Sequence, residues 1–363
     1  MTERAVRGSL LLITVVLQMF AHDASPSTGR QPSQNRIAGH RVLKILDRKD
    51  TSISFFPPDC IFQDREGRFW IGSFFGLCSY DEAKDQWTTF SKKTGQLSGY
   101  EVNEISQSGD EALWFASYKT LGRHLTRFAG GRWSSIDSES DGRNLDRFST
   151  MFSGLHGKVW FALGDQLIAY DGGTWTAPLR IADEERKTQI PSEFHIVAGR
   201  QAIDGYVWLG TYRGIVRIDE KKREWKWYGY GVTRGTVYLI YEDRRRRLWF
   251  ANDYGDVYLL DQANDSWTSF SLLPHLPTGV QRSSAAGPGR ALFSPEGIYQ
   301  DATGLVMFPT RDGLITFNER ANKWETLTSR NSALPSDSLS AVFEDRNGRV
   351  WLGTGSGIVV LEP

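Results

Sequence analysis

Short, continuously apolar runs recur along the whole chain, and nearly all of them contain a tryptophan. The first is Phe69–Gly72 and the last is Val350–Gly353. Apolar and polar residues do not alternate in these runs, which is the pattern expected for β-strands whose sheet is covered on both faces. Tryptophan occupies the same position of the run in six repeats, and methionine occupies it in the remaining one: Trp70, Trp114, Trp160, Trp208, Trp249, Met307 and Trp351. The pattern predicts seven repeats, with a period of roughly 40–50 residues that is typical of propeller blades.

Each repeat contains the signals for four strands. An Asp-x-x-Gly turn such as Asp64–Gly67 ends the first strand, because aspartate caps such a turn and glycine adopts the positive φ that closes it. The tryptophan run is the second strand, and another glycine separates it from the third. In six repeats the fourth strand carries a further tryptophan: Trp87, Trp133, Trp175, Trp225, Trp267 and Trp324. We therefore predict an all-β, seven-bladed β-propeller with four-stranded blades.

The seventh repeat lacks a fourth strand of its own, and the beginning of the chain supplies a candidate. Trp87 precedes Ile105 by eighteen residues, and Leu43 precedes Ile61 by the same eighteen. Val42–Leu46 therefore has the register of an outermost strand with no blade in front of it. We expect this N-terminal segment to complete the C-terminal blade and to close the ring, so that no blade edge is left unpaired.

The N-terminal residues are predicted to direct export. Two arginines precede an eleven-residue apolar stretch, Leu10–Phe20, which is too short to span a bilayer as an ordinary helix. We predict a signal peptide at 1–24, a disordered linker at 25–39 that is rich in Ser, Pro, Gly and Gln, and the propeller at 40–363. The protein is then periplasmic or secreted, and membrane anchoring by an uncleaved signal is the alternative.

Composition and motifs provide little support for nucleic-acid binding, metal binding or catalysis. The 43 basic residues balance the 43 acidic ones, whereas nucleic-acid binders usually carry a basic excess. The six histidines lack metal-ligand spacing, and most carboxylates recur at turn positions, so we predict no cofactor, no metal and no catalytic residue. A carboxylate pair of a glycoside hydrolase or lyase remains the alternative, because a fold does not determine a function.

The two cysteines are predicted to be free thiols. Cys60 falls on the first strand of a blade and Cys78 on the third, with one strand between them. Adjacent strands are about 4.8 Å apart, so these residues are too far apart for a disulfide.

The two most regular repeats resemble a known family. Asp64–Asp81 (DREGRFWIGSFFGLCSYD) and Asp345–Glu362 (DRNGRVWLGTGSGIVVLE) are similar to the two-component regulator propeller repeat. That resemblance implies a periplasmic sensor propeller, which in the family usually precedes a membrane helix and a histidine kinase. No such region follows the last repeat here, so we expect signalling to need a separate partner.

One face of the predicted propeller is the candidate binding surface. The turns between second and third strands share this face with the connections between blades, and they carry aromatic and charged residues that a tight turn does not require. The candidate ligand-binding residues are Phe74, Phe75, Tyr118, Lys119, Tyr212, Arg213, Asp253, Tyr254, Arg311 and Asp312. The alternative is that these side chains only pack against neighbouring loops.

The opposite face is predicted to carry a basic cluster. Arg244–Arg247 occupy an inner turn of the fifth repeat, and Lys221–Lys226 an outer turn of the fourth. Because these blades are neighbours, we expect the two runs to lie side by side. A solvated turn and a contact with an anionic surface are both open interpretations.

These observations favour a non-catalytic, exported ligand-binding or sensing propeller. The expected partners are an oligosaccharide or another small ligand and a membrane signalling protein such as a sensor kinase, with no nucleic acid. A carbohydrate-active enzyme and a protein-interaction platform on the same scaffold are the two alternatives.

Overall fold

The computed structural model describes residues 35–47, 57–119, 122–136, 145, 148–181, 195–229, 232–277 and 295–363. Within these residues the strands form seven antiparallel sheets, one for each predicted repeat. The seven-bladed β-propeller expected from the repeat is therefore confirmed. The predicted signal peptide and residues 25–34 of the predicted linker lie outside the described residues.

The strands of the first four blades follow the chain in order. Blade 1 contains β3 (Pro58–Gln63), β4 (Phe69–Ser73), β5 (Gly76–Asp81) and β6 (Gln86–Phe90). Blade 2 contains β7 (Glu101–Gln107), β8 (Leu113–Lys119), β9 (Gly122–Ala129) and β10 (Arg132–Ile136). Blade 3 contains β11 (Thr150–Ser153), β12 (Val159–Leu163), β13 (Gln166–Asp171), β14 (Thr174–Trp175) and β15 (Leu179–Arg180). Blade 4 contains β16 (Ile196–Gln201), β17 (Val207–Thr211), β18 (Gly214–Asp219) and β19 (Glu224–Tyr228).

The last three blades repeat the pattern, and the seventh also takes strands from the N-terminal end. Blade 5 contains β20 (Val237–Glu242), β21 (Leu248–Asn252), β22 (Asp256–Asp261) and β23 (Ser266–Ser271). Blade 6 contains β24 (Tyr299–Gln300), β25 (Leu305–Thr310), β26 (Gly313–Asn318) and β27 (Lys323–Leu327). Blade 7 contains β28 (Leu339–Glu344), β29 (Val350–Thr354) and β30 (Gly357–Leu361), followed outward by β2 (His40–Asp47) and β1 (Arg36–Ile37).

The strand β2, which we call the closing strand, is the predicted fourth strand of blade 7. It runs antiparallel to β30, with Val42 opposite Leu361 and Leu46 opposite Ile358. The predicted linker boundary is corrected, because Arg36–Ile37 pair with the start of the closing strand. Ile37 is fully buried, and this burial is the physical reason that the ordered structure begins before residue 40.

The repeat tryptophans form the core between blades. All six are almost completely buried, and Met307 takes the same position in blade 6. Glycine follows in several second strands because the backbone of the next blade lies against it. A Cβ on Gly72 would meet the carbonyl oxygen of Val102 at 2.3 Å, and one on Gly210 would meet that of Val237 at 2.1 Å. The glycine of the repeat therefore sets the blade spacing.

Hydrogen bonds at the far ends of the first strands join each blade to the next. In four junctions a Gln or Glu accepts the backbone N–H of the preceding blade's first turn: Gln63 from Arg346, Gln107 from Arg65, Gln201 from Leu155 and Glu242 from Ile203. Ion pairs run beside them, and the Arg349 guanidinium binds both oxygens of Glu82 at 2.6 and 2.9 Å. The ring is thus fastened between blades by polar contacts as well as by the core.

Residues of both predicted basic runs on the opposite face have partners on other blades. Arg247 binds Glu319 of blade 6 through two hydrogen bonds of 2.7 and 2.8 Å, and Arg244 pairs with Glu344 of blade 7. Arg223, in the other run, donates to the Pro178 carbonyl of blade 3. Carboxylates of blades 5, 6 and 7 therefore neutralise much of the positive charge of the Arg244–Arg247 run.

Candidate functional site

All of the exposed aromatic residues in the described part of the chain lie on the face predicted to bind ligand. They are Phe74, Phe75, Tyr100, Tyr118, Tyr212 and Tyr254, with between 39% and 59% of each residue accessible to solvent. We call this surface the aromatic face. The other large exposed apolar residues of the described chain, Leu43 and Ile203, lie on the closing strand and in a turn of the opposite face. Large apolar residues exposed together on one face are typical of a recognition surface.

A short side chain at the end of the second strand holds each turn open. Ser73 accepts the N–H of Phe75 at 3.2 Å, Thr211 that of Arg213 at 3.1 Å, and Asn252 that of Tyr254 at 3.0 Å. These bonds satisfy the turn backbone locally, as Asx and ST turns do. The side chains in the turn are then directed into solvent.

The aromatic residues of blades 1 and 2 form one group. The rings of Phe74 and Phe75 meet edge to face with centroids 5.3 Å apart. Tyr100 joins Tyr118 through a backbone hydrogen bond of 2.9 Å, and the Lys92 ammonium lies 4.6 Å from the Tyr100 ring centroid. Because Gly72 packs on the backbone of Val102, the phenylalanine turn and Tyr100 occupy neighbouring positions on the face.

Tyr118 is connected to a largely buried ion pair within blade 2, which in turn contacts blade 3. Its hydroxyl accepts a 2.9 Å hydrogen bond from Arg123, whose other terminal nitrogen binds Glu104 at 2.7 Å. Glu104 in turn accepts from the Thr150 hydroxyl and the Met151 N–H of blade 3, at 2.9 and 2.8 Å. This exposed aromatic is therefore held in place by a fully bonded carboxylate inside the ring.

Blades 4 and 5 supply the second group. The Tyr212 ring lies 5.3 Å from the ring of His195. The guanidinium of Arg234 lies 5.1 Å from the centroid of Tyr254, and its Nε donates to Asp256 at 2.7 Å. Arg234 thus lies beside the Tyr254 ring as Lys92 does beside the Tyr100 ring, at a distance at which a cation attracts an aromatic ring.

Several charged candidates are used within the fold. Asp253 accepts the Thr236 N–H at 3.0 Å, and Arg311 pairs with Glu296 at 2.9 Å. Burial raises the pKa of Asp312, nearby Asp337 raises it further, and Arg311 opposes the shift. Lys119 ends β8, and Arg213 follows Tyr212 in its turn, where its carbonyl accepts from Trp227 at 3.2 Å. The structure thus brings the aromatic candidates together as exposed groups and gives several charged ones internal partners.

Sequence reasoning missed four residues of this surface. Tyr100, Lys92 and Arg234 lie in connections between blades, and Arg123 lies on a third strand. Tyr100 directly precedes a first strand, at the same end of the blade as the candidate turns, so the predicted register could have identified it. In the described residues there is no group of three His, Cys, Asp or Glu side chains placed to hold a metal ion.

A comparison with family models finds a match to the last blade. Residues 333–356 match the family described as two component regulator propeller. The chain carries a two component regulator propeller repeat. The resemblance inferred from the sequence is confirmed, and the matched segment includes the first two strands of blade 7.

Solved structures similar to this chain include two extracellular domains of putative two component or one component systems. The extracellular domain of the putative hybrid two component system BT3049 from B. thetaiotaomicron matches with a TM-score of 0.63 at 18% sequence identity. The match covers 88% of this chain and 42% of that domain. The extracellular domain of the putative one component system BT4673 from the same organism matches with a TM-score of 0.63 at 18% sequence identity. That match covers 88% of this chain and 40% of the domain. At this identity the likeness establishes the fold, and the chain spans about two fifths of those domains.

An enzyme has a similar fold as well. A catalytically inactive virginiamycin B lyase from Staphylococcus aureus, solved with quinupristin, gives a TM-score of 0.60 at 14% identity and covers 88% of this chain and 97% of its own. A search of curated proteins found no match. No helix in the part of the chain that the structure describes is long and apolar enough to cross a membrane.

Proposed function

We propose that this chain is an exported, non-catalytic sensor propeller that binds an oligosaccharide or similar small ligand on its aromatic face. In this proposal a separate membrane signalling protein, such as a sensor kinase, detects the bound state. The family match of blade 7 and the sensor-type neighbours support the sensor role.

The observation that carries the proposal is the clustering of exposed aromatic residues on one face. Aromatic rings stack on the apolar faces of sugar rings, while the adjacent cations donate hydrogen bonds to hydroxyl or carboxylate oxygens. The pairs Tyr100–Lys92, Tyr118–Arg123 and Tyr254–Arg234 provide both kinds of contact within 5.1 Å of each other. An aromatic residue needed only for folding is normally buried, and these are not.

The first test is binding to an array of plant, microbial and animal oligosaccharides, followed by titration calorimetry of each binder. The double variants Phe74→Ala/Phe75→Ala and Tyr212→Ala/Tyr254→Ala remove one group each. We expect at least one of them to raise Kd about tenfold or more, which corresponds to about 1.4 kcal/mol. The matched control is Ile203→Ala, which removes an equally exposed apolar residue from the opposite face.

Unchanged affinity in both double variants would refute the assignment of the site. The melting temperatures of all three variants should stay close to that of the parent, because none of the residues is buried. Cross-linking in the producing cell, with and without the oligosaccharide identified above, then tests the partner. Recovery of no membrane signalling protein under either condition would contradict that part of the proposal.

Polysaccharide cleavage is the second candidate, and Asp312 is the observation that favours it. A general acid needs a carboxyl group whose pKa lies above the ordinary range, and burial together with Asp337 shifts the pKa of Asp312 in that direction. Incubation with each bound polysaccharide decides between the candidates. New reducing ends or unsaturated products that disappear in Asp312→Asn would establish an enzyme, whereas binding without products supports the sensor.

A further inference from the structure

Blade 6 departs from the repeat at a position where blades 1, 5 and 7 form a buried hydrogen bond. In blades 1, 5 and 7 the tryptophan indole N–H donates to the aspartate six residues before it, at 2.7 to 3.0 Å. Blade 6 keeps the aspartate, Asp301, but has Met307 in place of the tryptophan. A thioether has no N–H to donate, so this buried carboxylate needs another partner.

That partner is His40, the first residue of the closing strand. Its Nε2 lies 3.0 Å from the Oδ2 of Asp301, and its Nδ1 lies 2.8 Å from the carbonyl oxygen of Glu362. The side chains of His40 and Asp301 are only 10% and 4% exposed. One imidazole therefore ties the closing strand both to the end of blade 7 and to the first turn of blade 6.

Both ring nitrogens face an acceptor, and this arrangement requires a proton. A neutral imidazole has one N–H and can donate to only one of the two oxygens, whereas the imidazolium donates to both. The Asp301 carboxylate is also an acceptor, since its Oδ1 accepts hydrogen bonds from the Thr303 N–H and the Leu305 N–H at 2.8 Å each. The geometry fits a charged pair of His40 imidazolium and Asp301 carboxylate.

The other charged groups around His40 have hydrogen-bond partners of their own. Arg41, the next residue of the closing strand, forms two hydrogen bonds of 2.9 and 3.0 Å with the Glu362 carboxylate. Arg36 on β1 donates to the Gly39 carbonyl at 2.6 Å. Asp301 is therefore the dominant charge that His40 faces, and the hydrogen bond to it raises the pKa of His40 against the opposing effect of burial.

We propose that His40 is a pH-operated latch, which holds the closing strand in the ring while it is protonated and releases its hold on blade 6 when it is not. The closing strand is the natural element for such control. Short turns join β28 to β29 and β29 to β30, whereas no turn joins the closing strand to β30, which it meets only through hydrogen bonds and packing. This inference does not depend on the ligand of the aromatic face.

The direction of the effect follows from the raised pKa. The pKa of His40 in the folded protein lies above its value of about 6.5 in the unfolded chain. The latch therefore stabilises the closed strand fully below about pH 6.5, and this stabilisation is lost as the pH rises through the pKa of the folded state. Each unit of difference between the two values corresponds to a change of about tenfold in the equilibrium between closed and open strand.

The test is hydrogen exchange of closing-strand amides in the full chain, with thermal melting, from about pH 5.5 to about pH 9 across the range where histidine titrates. Each variant is compared with the parent at the same pH. We expect His40→Gln to exchange faster than the parent at low pH and equally at high pH. His195→Gln, which changes an exposed histidine on the other side of the ring, should match the parent throughout.

A second variant keeps the test valid if His40→Gln folds poorly. Asp301→Asn removes the negative charge but keeps an acceptor, so the pH at which the closing strand loosens should move downward. A constant difference between His40→Gln and the parent at every pH would show a purely structural role and overturn the proposal. An unchanged transition in Asp301→Asn would overturn it as well.

Discussion

Trp208 in blade 4 is the one repeat tryptophan whose buried indole N–H lacks a hydrogen-bond partner in the described structure. The residue six positions earlier, which is Asp in blades 1, 5 and 7 and Ser108 in blade 2, is Ala202 here. We predict that Ala202→Ser stabilises the protein. In blade 2 the equivalent Ser108 hydroxyl accepts from the Trp114 indole at 2.9 Å, and the Asp110 carboxylate and the Ala112 carbonyl are both within hydrogen-bonding reach of its one proton.

The same acceptor for the new hydroxyl exists in blade 4. The Ala202 N–H bonds the Tyr206 carbonyl at 2.9 Å, just as the Ser108 N–H bonds the Ala112 carbonyl at 2.9 Å. An unsatisfied buried donor costs about 1–3 kcal/mol, and a typical hydrogen bond contributes about 1 kcal/mol net. We therefore expect Ala202→Ser to raise the free energy of unfolding by about 1 kcal/mol, which is a rise in Tm of only about 1.5 °C in a chain of this size.

Urea unfolding is the better assay, because a shift of the midpoint at constant m reports stability directly. The matched control is Ala251→Ser, another fully buried alanine, where a hydroxyl with no donor to satisfy should cost about 1–3 kcal/mol. The decisive comparison repeats Ala202→Ser in a Trp208→Phe background, which has no indole N–H. If the gain persists there, the hydrogen bond is not its cause and the reasoning fails.

Two further predictions concern the closing strand and the cysteines. Leu46→Ala should lower the free energy of unfolding by about 2–5 kcal/mol in urea, because Leu46 is only 2% exposed. The control Leu43→Ala, at a residue that is 43% exposed, should lower it by less than about 0.5 kcal/mol. Equal losses in the two variants would show that the closing strand is not packed as described. Burial raises the pKa of Cys60 and of Cys78, so both thiols should resist a thiol reagent in the native protein. Both should react after denaturation without reductant, and fewer than two reactive thiols would contradict the free state.

Most of the architecture could be predicted because the repeat reports the register directly. The spacing from Leu43 to Ile61 placed the closing strand beside the last blade before any contact was known. The same register separated the two faces, since every turn between a second and a third strand lies at the same end of its blade. The exposed positions of Phe74 and Tyr254 follow from that alone.

The composition of the binding surface could be predicted only in part, for a physical reason. Connections between blades vary in length and carry no repeat, so their residues have no register, and Arg234 was missed although it lies over Tyr254. Ion pairs within the aromatic face could not be predicted from the sequence either, and the contact between Arg311 and Glu296 is an example. This pair forms because the turn after β25 meets the segment before β24, and the repeat does not predict the course of that segment.

Blades 3 and 6, which lack a residue of the repeat, show that the sequence pattern of one blade is not enough to predict its hydrogen bonds. Gly154 of blade 3 cannot accept the indole of Trp160, and Gln201 of the next blade does so instead at 3.2 Å. Met307 of blade 6 offers no indole, and His40 of the closing strand takes its place on Asp301. In both cases the compensating residue belongs to an adjacent blade, because neighbouring blades pack directly against each other. In blades 3 and 6 the loss of a repeat residue therefore moves a hydrogen bond from within a blade to the junction between blades, where it helps to hold the ring closed, whereas in blade 4 the Trp208 indole is left without a partner.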